Sequence, residues 1–171
     1  ENSVRNDVGF ESERNIIFVT GPNMAGKSTF LKSLGVAVYL AHAGFPVPAE
    51  KMDISVLTGL YTTINIADSL NSGYSHFYSE VLRVKYVANE LKENRALVIF
   101  DELFRGTNVK DAYDGTLAVV EALTEVKNSF FAVSTHIVEA AYKLNDISNI
   151  QFAYLEIIKR DNIPEYTYKL K

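Results

Sequence analysis

The chain has 171 residues, of which 47% are hydrophobic and 22% are charged, which is typical of one soluble globular domain. Its formal net charge is −4, whereas a domain that gripped a DNA backbone by itself would carry a basic excess, so any nucleic acid is expected to be held elsewhere. It contains no cysteine, which excludes a disulfide framework and a thiolate metal site. The most apolar run, Leu31–Ala43, is interrupted by polar residues and is shorter than the ~20 residues that span a bilayer. We therefore expect a cytoplasmic protein with no membrane partner.

Strand and helix patterns alternate along the chain. The first half predicts a strand at Ile16–Val19, a helix from Ser28 to Ala43, a strand at Tyr61–Ile64, a polar loop from Ala67 to Ser75 and a helix from Phe77 to Leu91. The second half predicts a strand at Leu97–Phe100, a helix from Asp111 to Val126, a strand at Phe130–Val133 and a short helix from Ile137 to Leu144. The chain then ends in two predicted strands, Ile150–Ile158 and Tyr166–Leu170, around a turn at Asp161–Pro164. Strands separated by helices predict an α/β fold with a mainly parallel central sheet, helices on both faces and a C-terminal antiparallel extension. We expect residues 1–171 to form a single domain of a longer protein, since the chain starts at Glu1 rather than at methionine.

The segment between the first strand and the first helix matches the Walker A pattern of nucleotide-binding proteins. Its consecutive residues are Gly21, Pro22, Asn23, Met24, Ala25, Gly26, Lys27 and Ser28, and Thr29 follows. Glycines let the backbone curl so that its N–H groups face a phosphate, Lys27 supplies a cation, and the Ser28 hydroxyl can bind Mg²⁺. The alternative is a glycine turn with an exposed lysine.

Adjacent carboxylates, Asp101 and Glu102, follow the buried strand Leu97–Phe100 and resemble a Walker B element. The strand delivers them to the sheet edge where ligands bind in open α/β sheets. There Asp101 can hold the Mg²⁺ shell and Glu102 can polarise an attacking water. The alternative is that both carboxylates simply end a strand in solvent.

Ser134, Thr135 and His136 end the next strand at the same predicted edge. His136 could sense a terminal phosphate or orient water, although a lone histidine after a strand is more often a capping or surface residue. His42 and His76 lie on helix-like segments, and we assign them no catalytic role.

Together these segments resemble the ATPase domain of MutS-family DNA mismatch-repair proteins over nearly the whole chain. The segments that carry the resemblance are Thr20–Thr29, Val47–Ala49, Ala67–Phe77, Asp101–Leu103 with Arg105–Thr107 and Tyr113–Gly115, and Ser134–His136. The resemblance implies a P-loop NTPase of the ABC type that hydrolyses ATP with Mg²⁺. It also implies that ATP drives a clamp on mismatched or branched DNA, which other domains of the parent protein would bind.

The resemblance further implies a homodimer in which each nucleotide is closed over by the signature loop of the other subunit. Ser72, Gly73 and Ser75 would then act in trans, Asn23 would help sense the γ-phosphate, and His136 would act as a switch. The alternative is an ordinary solvated loop with Ser75 as the N-cap of the helix that follows.

The chain departs from the family pattern at several positions. Ala25 stands where the family has glycine, Tyr74 where it has arginine, and His76 where it has threonine, while Asp111 and Asp114 compete for one aspartate position. The position of the family's adenine-stacking aromatic falls near Ser3 or Val4. These departures indicate a divergent MutS-like branch.

Two other functions are compatible with parts of the sequence. The nucleotide-binding subunit of a membrane transporter would need a Gly-Gly-Gln signature before its Walker B strand, and this sequence has none. A nucleotide-gated dimerisation module, not acting on mismatches, would bind ATP with hydrolysis incidental. Intact Lys27, Asp101 and Glu102 favour an ATPase over that module.

Overall fold

The computed structural model describes residues 3–64, 76–160 and 163–171, so the predicted loop Ala67–Ser75 lies outside the described residues. The helices and strands, in chain order, are β1 (Ile16–Thr20), α1 (Lys27–His42), β2 (Gly59–Thr62), α2 (His76–Glu90), β3 (Ala96–Asp101), α3 (Val109–Leu123), β4 (Phe130–Ser134), α4 (Val138–Leu144), β5 (Ile150–Arg160) and β6 (Ile163–Leu170). In this part of the chain no helix is both long enough and apolar enough to cross a membrane.

The six strands form one sheet in the order β2-β3-β4-β1-β5-β6. The first five of these pair in parallel, and β6 pairs antiparallel to β5 at the edge. The prediction of a mainly parallel sheet with a C-terminal antiparallel extension is therefore confirmed. Because β1, β3 and β4 are parallel neighbours in the middle of the sheet, the loops that follow them leave from the same edge.

Two apolar clusters cover the two faces of the sheet. Alternate residues of β1 point into different clusters, Ile16 and Phe18 into the first and Ile17 and Val19 into the second. The first cluster includes buried residues of α2, α3 and α4, and the second includes buried residues of α1. Helices on both faces bury the central strands completely, which explains why these strands are continuous apolar runs.

Some element boundaries differ from the sequence prediction. The strand predicted at Tyr61–Ile64 lies at Gly59–Thr62, because its pairing with β3 runs only from Gly59 opposite Ala96 to Thr62 opposite Ile99. The helix predicted from Asp111 to Val126 is α3, which starts earlier because the Asn108 side chain accepts a hydrogen bond from the Asp111 N–H (2.9 Å).

The last strand begins at Ile163 rather than at Tyr166. Pro164, which was predicted to lie in the turn, pairs with Lys159 in the strand ladder. This is possible because β6 is the edge strand, where a proline can stand without removing a hydrogen bond from the ladder. Asp161 and Asn162 of the predicted turn lie outside the described residues.

At the amino ends of the central strands, buried polar side chains tie the connecting loops together. Asn15, fully buried, donates to the carbonyl oxygens of Val126 (2.7 Å) and Ser129 (2.9 Å). Asn149 donates to the Asn15 side-chain oxygen (3.3 Å), and the Ser129 hydroxyl accepts from the Ala96 N–H (2.9 Å). These bonds satisfy polar groups that burial would otherwise penalise.

We expect Phe131→Ala to lower the free energy of unfolding by about 3–5 kcal/mol, because loss of its fully buried ring in β4 would leave a cavity in the first cluster. Tyr142→Ala on α4, where the ring is 78% exposed, is the matched control and should change it by less than about 0.5 kcal/mol. Urea denaturation followed by circular dichroism measures both, and equal losses would contradict this description of the core.

Candidate functional site

The loop from Gly21 to Gly26 joins β1 to α1 and curls through left-handed backbone conformations. Its φ angles are +138° at Gly21, +68° at Met24 and +103° at Gly26. The two glycines adopt these angles without a Cβ clash, whereas Met24 does so as a non-glycine residue with its side chain 82% exposed. The loop ends at Gly26, the N-cap of α1, so its concave side faces the N-terminus of a 16-residue helix. A helix N-terminus favours an anion.

Lys27 is the cation of this loop, and it is buried, with 4% of the residue exposed. Its Nζ donates to the carbonyl oxygens of Gly21 (2.7 Å) and Pro22 (3.1 Å) and lies 3.3 Å from Glu102 Oε1. A buried ammonium needs such partners, because burial without them would cost several kcal/mol. The loop therefore holds the ammonium in place by its own carbonyls and by one carboxylate from another strand.

The carboxylates at the end of β3 are held by a residue of β4. The Ser134 hydroxyl donates to Asp101 Oδ1 (2.6 Å) and also accepts from the Glu102 N–H (3.1 Å), and the Ser134 carbonyl accepts from the same N–H (3.1 Å). Glu102 has a φ of +52°, in the left-handed region that non-glycine residues rarely adopt. Such backbone conformations persist where the surroundings fix them, often at functional sites.

Glu102 lies among three basic side chains, and only 13% of its own side chain is exposed. Besides the Lys27 ammonium, Arg105 Nε and His136 Nδ1 each lie 3.8 Å from Glu102 Oε2. The Arg105 and His136 side chains are 73% and 40% exposed, so they are better screened by solvent than Lys27. The strongest electrostatic partner of Glu102 is therefore Lys27.

Lys27, Glu102 and Arg105 line one open cleft with a volume of about 640 Å³. The residues predicted from the sequence that line it are Asn23, Met24, Gly26, Lys27, Ser28, Thr29, Asp101 and Glu102. Because they come from the ends of two strands that are not neighbours, β1 and β3, the fold alone brings them together. The cleft thus combines a buried cation, a hydroxyl and two carboxylates.

Other predicted residues lie beside the cleft rather than in its lining. Gly21 and Pro22 contribute the carbonyl oxygens that hold Lys27, and Ala25 is buried under the loop. His136 reaches the cleft only through its 3.8 Å approach to Glu102. Ser72, Gly73 and Ser75 lie outside the described residues.

Several lining residues were not predicted as parts of the site. They are Thr63, His76, Glu80, Arg105 and Tyr168. The Tyr168 ring lies against the loop, since a Cβ added to Gly26 would be 3.0 Å from Tyr168 Cδ1. Tyr168 lies within an irregularity in the pairing of β5 with β6, between Tyr166 and Leu170, and has a φ of +57°. The alternation of Tyr166 and Tyr168 carries no local signal of this placement, which depends on how the hairpin folds back.

The protein groups at the cleft fit a small, hard divalent cation. Within residues 3–64, 76–160 and 163–171, no three Asp, Glu or His side chains cluster as a set of metal ligands. Mg²⁺, however, is usually bound by one or two protein oxygens and completes its shell with water and substrate phosphates. The Ser28 hydroxyl and the Asp101 carboxylate, which line the same cleft, supply that kind of oxygen.

Comparison with known proteins gives a consistent family. The family described as MutS domain V matches residues 17–171. The DNA mismatch repair protein MutS of Streptococcus thermophilus is 31% identical over 167 residues, which are 98% of this chain and 20% of that protein. The proteins of the same name from Petrotoga mobilis and Ehrlichia ruminantium (strain Gardel) are each 38% identical, over 137 and 133 residues; the matches cover 80% and 78% of this chain and 17% and 16% of those proteins. The chain thus spans about one sixth to one fifth of the length of these relatives.

Gly26→Ala should lower the free energy of unfolding by about 2–3 kcal/mol, since alanine would be strained at a φ of +103° and its Cβ would press on Tyr168. Gly44→Ala is the control, because Gly44 also has a positive φ (+76°) but no atom within 4 Å of an added Cβ. It should cost only about 1 kcal/mol. Urea denaturation compares the two, and equal losses would argue against a close contact between the loop and Tyr168.

Proposed function

The chain belongs to the MutS domain V family, and we propose that it binds ATP with Mg²⁺ and hydrolyses it as a P-loop NTPase of the ABC type. In the parent protein, the cycle of binding and hydrolysis would drive a DNA mismatch-repair or recombination-related clamp. DNA would be bound by other parts of that protein, in keeping with the net charge of −4. The observation that carries the proposal is the approach of Lys27 to Glu102 (3.3 Å) in a cleft that also contains Ser28 and Asp101.

Lys27 is suited to bind the β- and γ-phosphates. Its ammonium is bonded to the carbonyls of Gly21 and Pro22 and paired with Glu102, and a phosphate entering the loop offers it a stronger, doubly charged partner. The backbone N–H groups at the start of α1 add further donors, and the helix dipole favours the same negative charge. Asn23, exposed at the rim of the loop, is suited to contact the γ-phosphate.

Glu102 is suited to act as the general base. When Lys27 turns to a phosphate, Glu102 loses its closest cation, and Oε1, the oxygen that paired with Lys27, is released at the cleft that Glu102 lines. It can then accept a proton from a water that attacks the γ-phosphorus, with ADP as the leaving group. We propose that His136, which lies 3.8 Å from the same carboxylate, orients that water or responds to the γ-phosphate. Mg²⁺, bound through Ser28 and Asp101, would neutralise charge on the phosphates.

Tyr168 is suited to contact the adenine base. Its ring lies beside Gly26 and lines the cleft, and 49% of the residue is exposed. Stacking of a base on an aromatic ring contributes about 1–3 kcal/mol to the binding free energy, whichever base it is. We therefore propose Tyr168 for the adenine contact, for which the family position falls near Ser3 or Val4.

The two central residues should fail in different ways. Lys27→Ala should weaken ATP binding at least 100-fold, since the phosphate charge loses its cation. Glu102→Gln should leave ATP binding within a few-fold of wild type but lower kcat by about 10²–10⁴-fold, because only proton transfer is lost. Calorimetry and a steady-state ATPase assay of the full-length protein measure these effects.

Two outcomes would count against these roles. Unchanged ATP affinity in Lys27→Ala would refute the phosphate site. Wild-type turnover in Glu102→Gln would remove Glu102 as the base. A wild-type protein that binds ATP tightly and never turns it over would instead favour the nucleotide-gated dimerisation module, which does not need a base.

We also propose that two copies share each nucleotide, with Ser72, Gly73 and Ser75 of one subunit closing over the phosphates held by the other. These residues directly precede α2, which begins at His76, and their small side chains suit close contact with a phosphate. A residue that acts in trans completes the nucleotide site of the partner subunit. Its substitution and a substitution in the nucleotide loop can therefore be placed in different subunits of one dimer.

The test mixes two inactive full-length variants, Ser75→Ala and Lys27→Ala. A mixed dimer keeps one complete site, formed by Lys27 of the first subunit and Ser75 of the second, so mixtures should hydrolyse ATP although neither homodimer does. Native mass spectrometry confirms that mixed dimers form. Mixed dimers as inactive as both parents would exclude the shared site and leave Ser75 as an N-cap of α2.

A further inference from the structure

The first turn of α2 packs against the loop that connects β3 to α3. The His76 ring lies on the backbone of Gly106, where an added Cβ would be 2.5 Å from His76 Nδ1. The next residue of the helix, Phe77, packs its ring against that of Phe104, with 5.3 Å between the ring centroids. Two successive residues of the helix thus contact the loop that begins at Glu102.

Glu80 lies one helical turn further, at the same junction. It is a carboxylate in a buried position (7% exposed) that lines the cleft, and its Oε2 lies 3.5 Å from His76 Nδ1. Burial raises the pKa of the Glu80 carboxyl, while the His76 ring and the backbone N–H of Phe104 act in the opposite direction. The carboxyl therefore lies between the helix and the backbone of the loop.

The loop on the other side of this junction has little freedom to adjust. Phe104 has a left-handed φ of +61° and is 3% exposed. Its ring lies so close to α3 that a Cβ on Gly115 would be 2.8 Å from Phe104 Cδ2. Glu102, two residues earlier, is also in a left-handed conformation. A displacement of Phe104 is therefore expected to be passed to Glu102 rather than absorbed between them.

We propose that Glu80 is a positioning residue for Glu102. Glu80 acts by holding His76 and the backbone of Phe104 at the junction between α2 and the β3–α3 loop. The inference rests on the proposed function, since it concerns the geometry of the hydrolytic base.

In the full-length protein, Glu80→Ala should lower kcat by about 10–100-fold, the effect expected when a catalytic group is slightly misplaced, and should change KM for ATP by less than about threefold. Glu80→Gln should recover most of kcat, because its amide oxygen can still accept from the Phe104 N–H. Glu121→Ala is the control, since Glu121 is an exposed carboxylate on α3, and it should match wild type.

A second measurement follows the loop itself, without nucleotide. Hydrogen exchange of the segment 102–107 should be at least tenfold faster in Glu80→Ala than in wild type and nearly normal in Glu80→Gln. If Glu80→Ala does not fold, His76→Ala serves for both measurements, because it removes the ring that contacts Gly106.

The results separate the two proposals. In an active protein, a kcat for Glu80→Ala within twofold of wild type would overturn the positioning role. A wild-type protein without ATPase activity would overturn the proposed function. The exchange measurement would still decide whether Glu80 holds the loop, and unchanged protection of the loop in Glu80→Ala would overturn that role.

Discussion

Parallel pairing of β3, β4 and β1 is the constraint on which the site depends. β4 lies between the other two strands, so Lys27 after β1 and Glu102 after β3 meet only across the end of β4. Ser134, the last residue of β4, fills that gap and bonds to both Asp101 and Glu102. A shift of one residue in either pairing would turn these side chains to the other face of the sheet. The register of three buried strands thus sets the distances between side chains that lie at or just beyond the strand ends.

The electrostatics of the cleft follow from the same arrangement. A buried ammonium and a mostly buried carboxylate stabilise one another at 3.3 Å, and either one alone would be costly at that depth. The pair is therefore a stable arrangement of the protein without ligand. Arg105 and His136 lie on the more exposed side of the carboxylate, which is open to solvent and to an incoming anion. In the proposed binding step, Lys27 would exchange the Glu102 carboxylate for a phosphate of higher charge. Such an exchange makes the site responsive to the charge of its ligand.

Much of the fold could be predicted because it depends on local patterns. Consecutive residues form the apolar runs of β1, β3 and β4 and the glycine loop before α1, and the structure contains all of these elements. The ends of β2 and β6 could not be predicted, since they depend on the length of the neighbouring strand. Tyr168 and Glu80 were missed for a related reason. Nothing adjacent in the sequence distinguishes them, and only the folded hairpin and the packed helix bring them to the cleft.

The two edges of the sheet carry different kinds of polar group. At the carboxyl edge they face an open cleft, whereas at the amino edge Asn15, Ser129 and Asn149 are buried and bonded to one another and to the backbone. Natural variants at these two edges should therefore have different cellular phenotypes. Loss of a buried amide at the amino edge would leave carbonyl groups unpaired and enlarge the unfolded fraction that proteases remove, so the protein would become scarce while each surviving molecule worked normally.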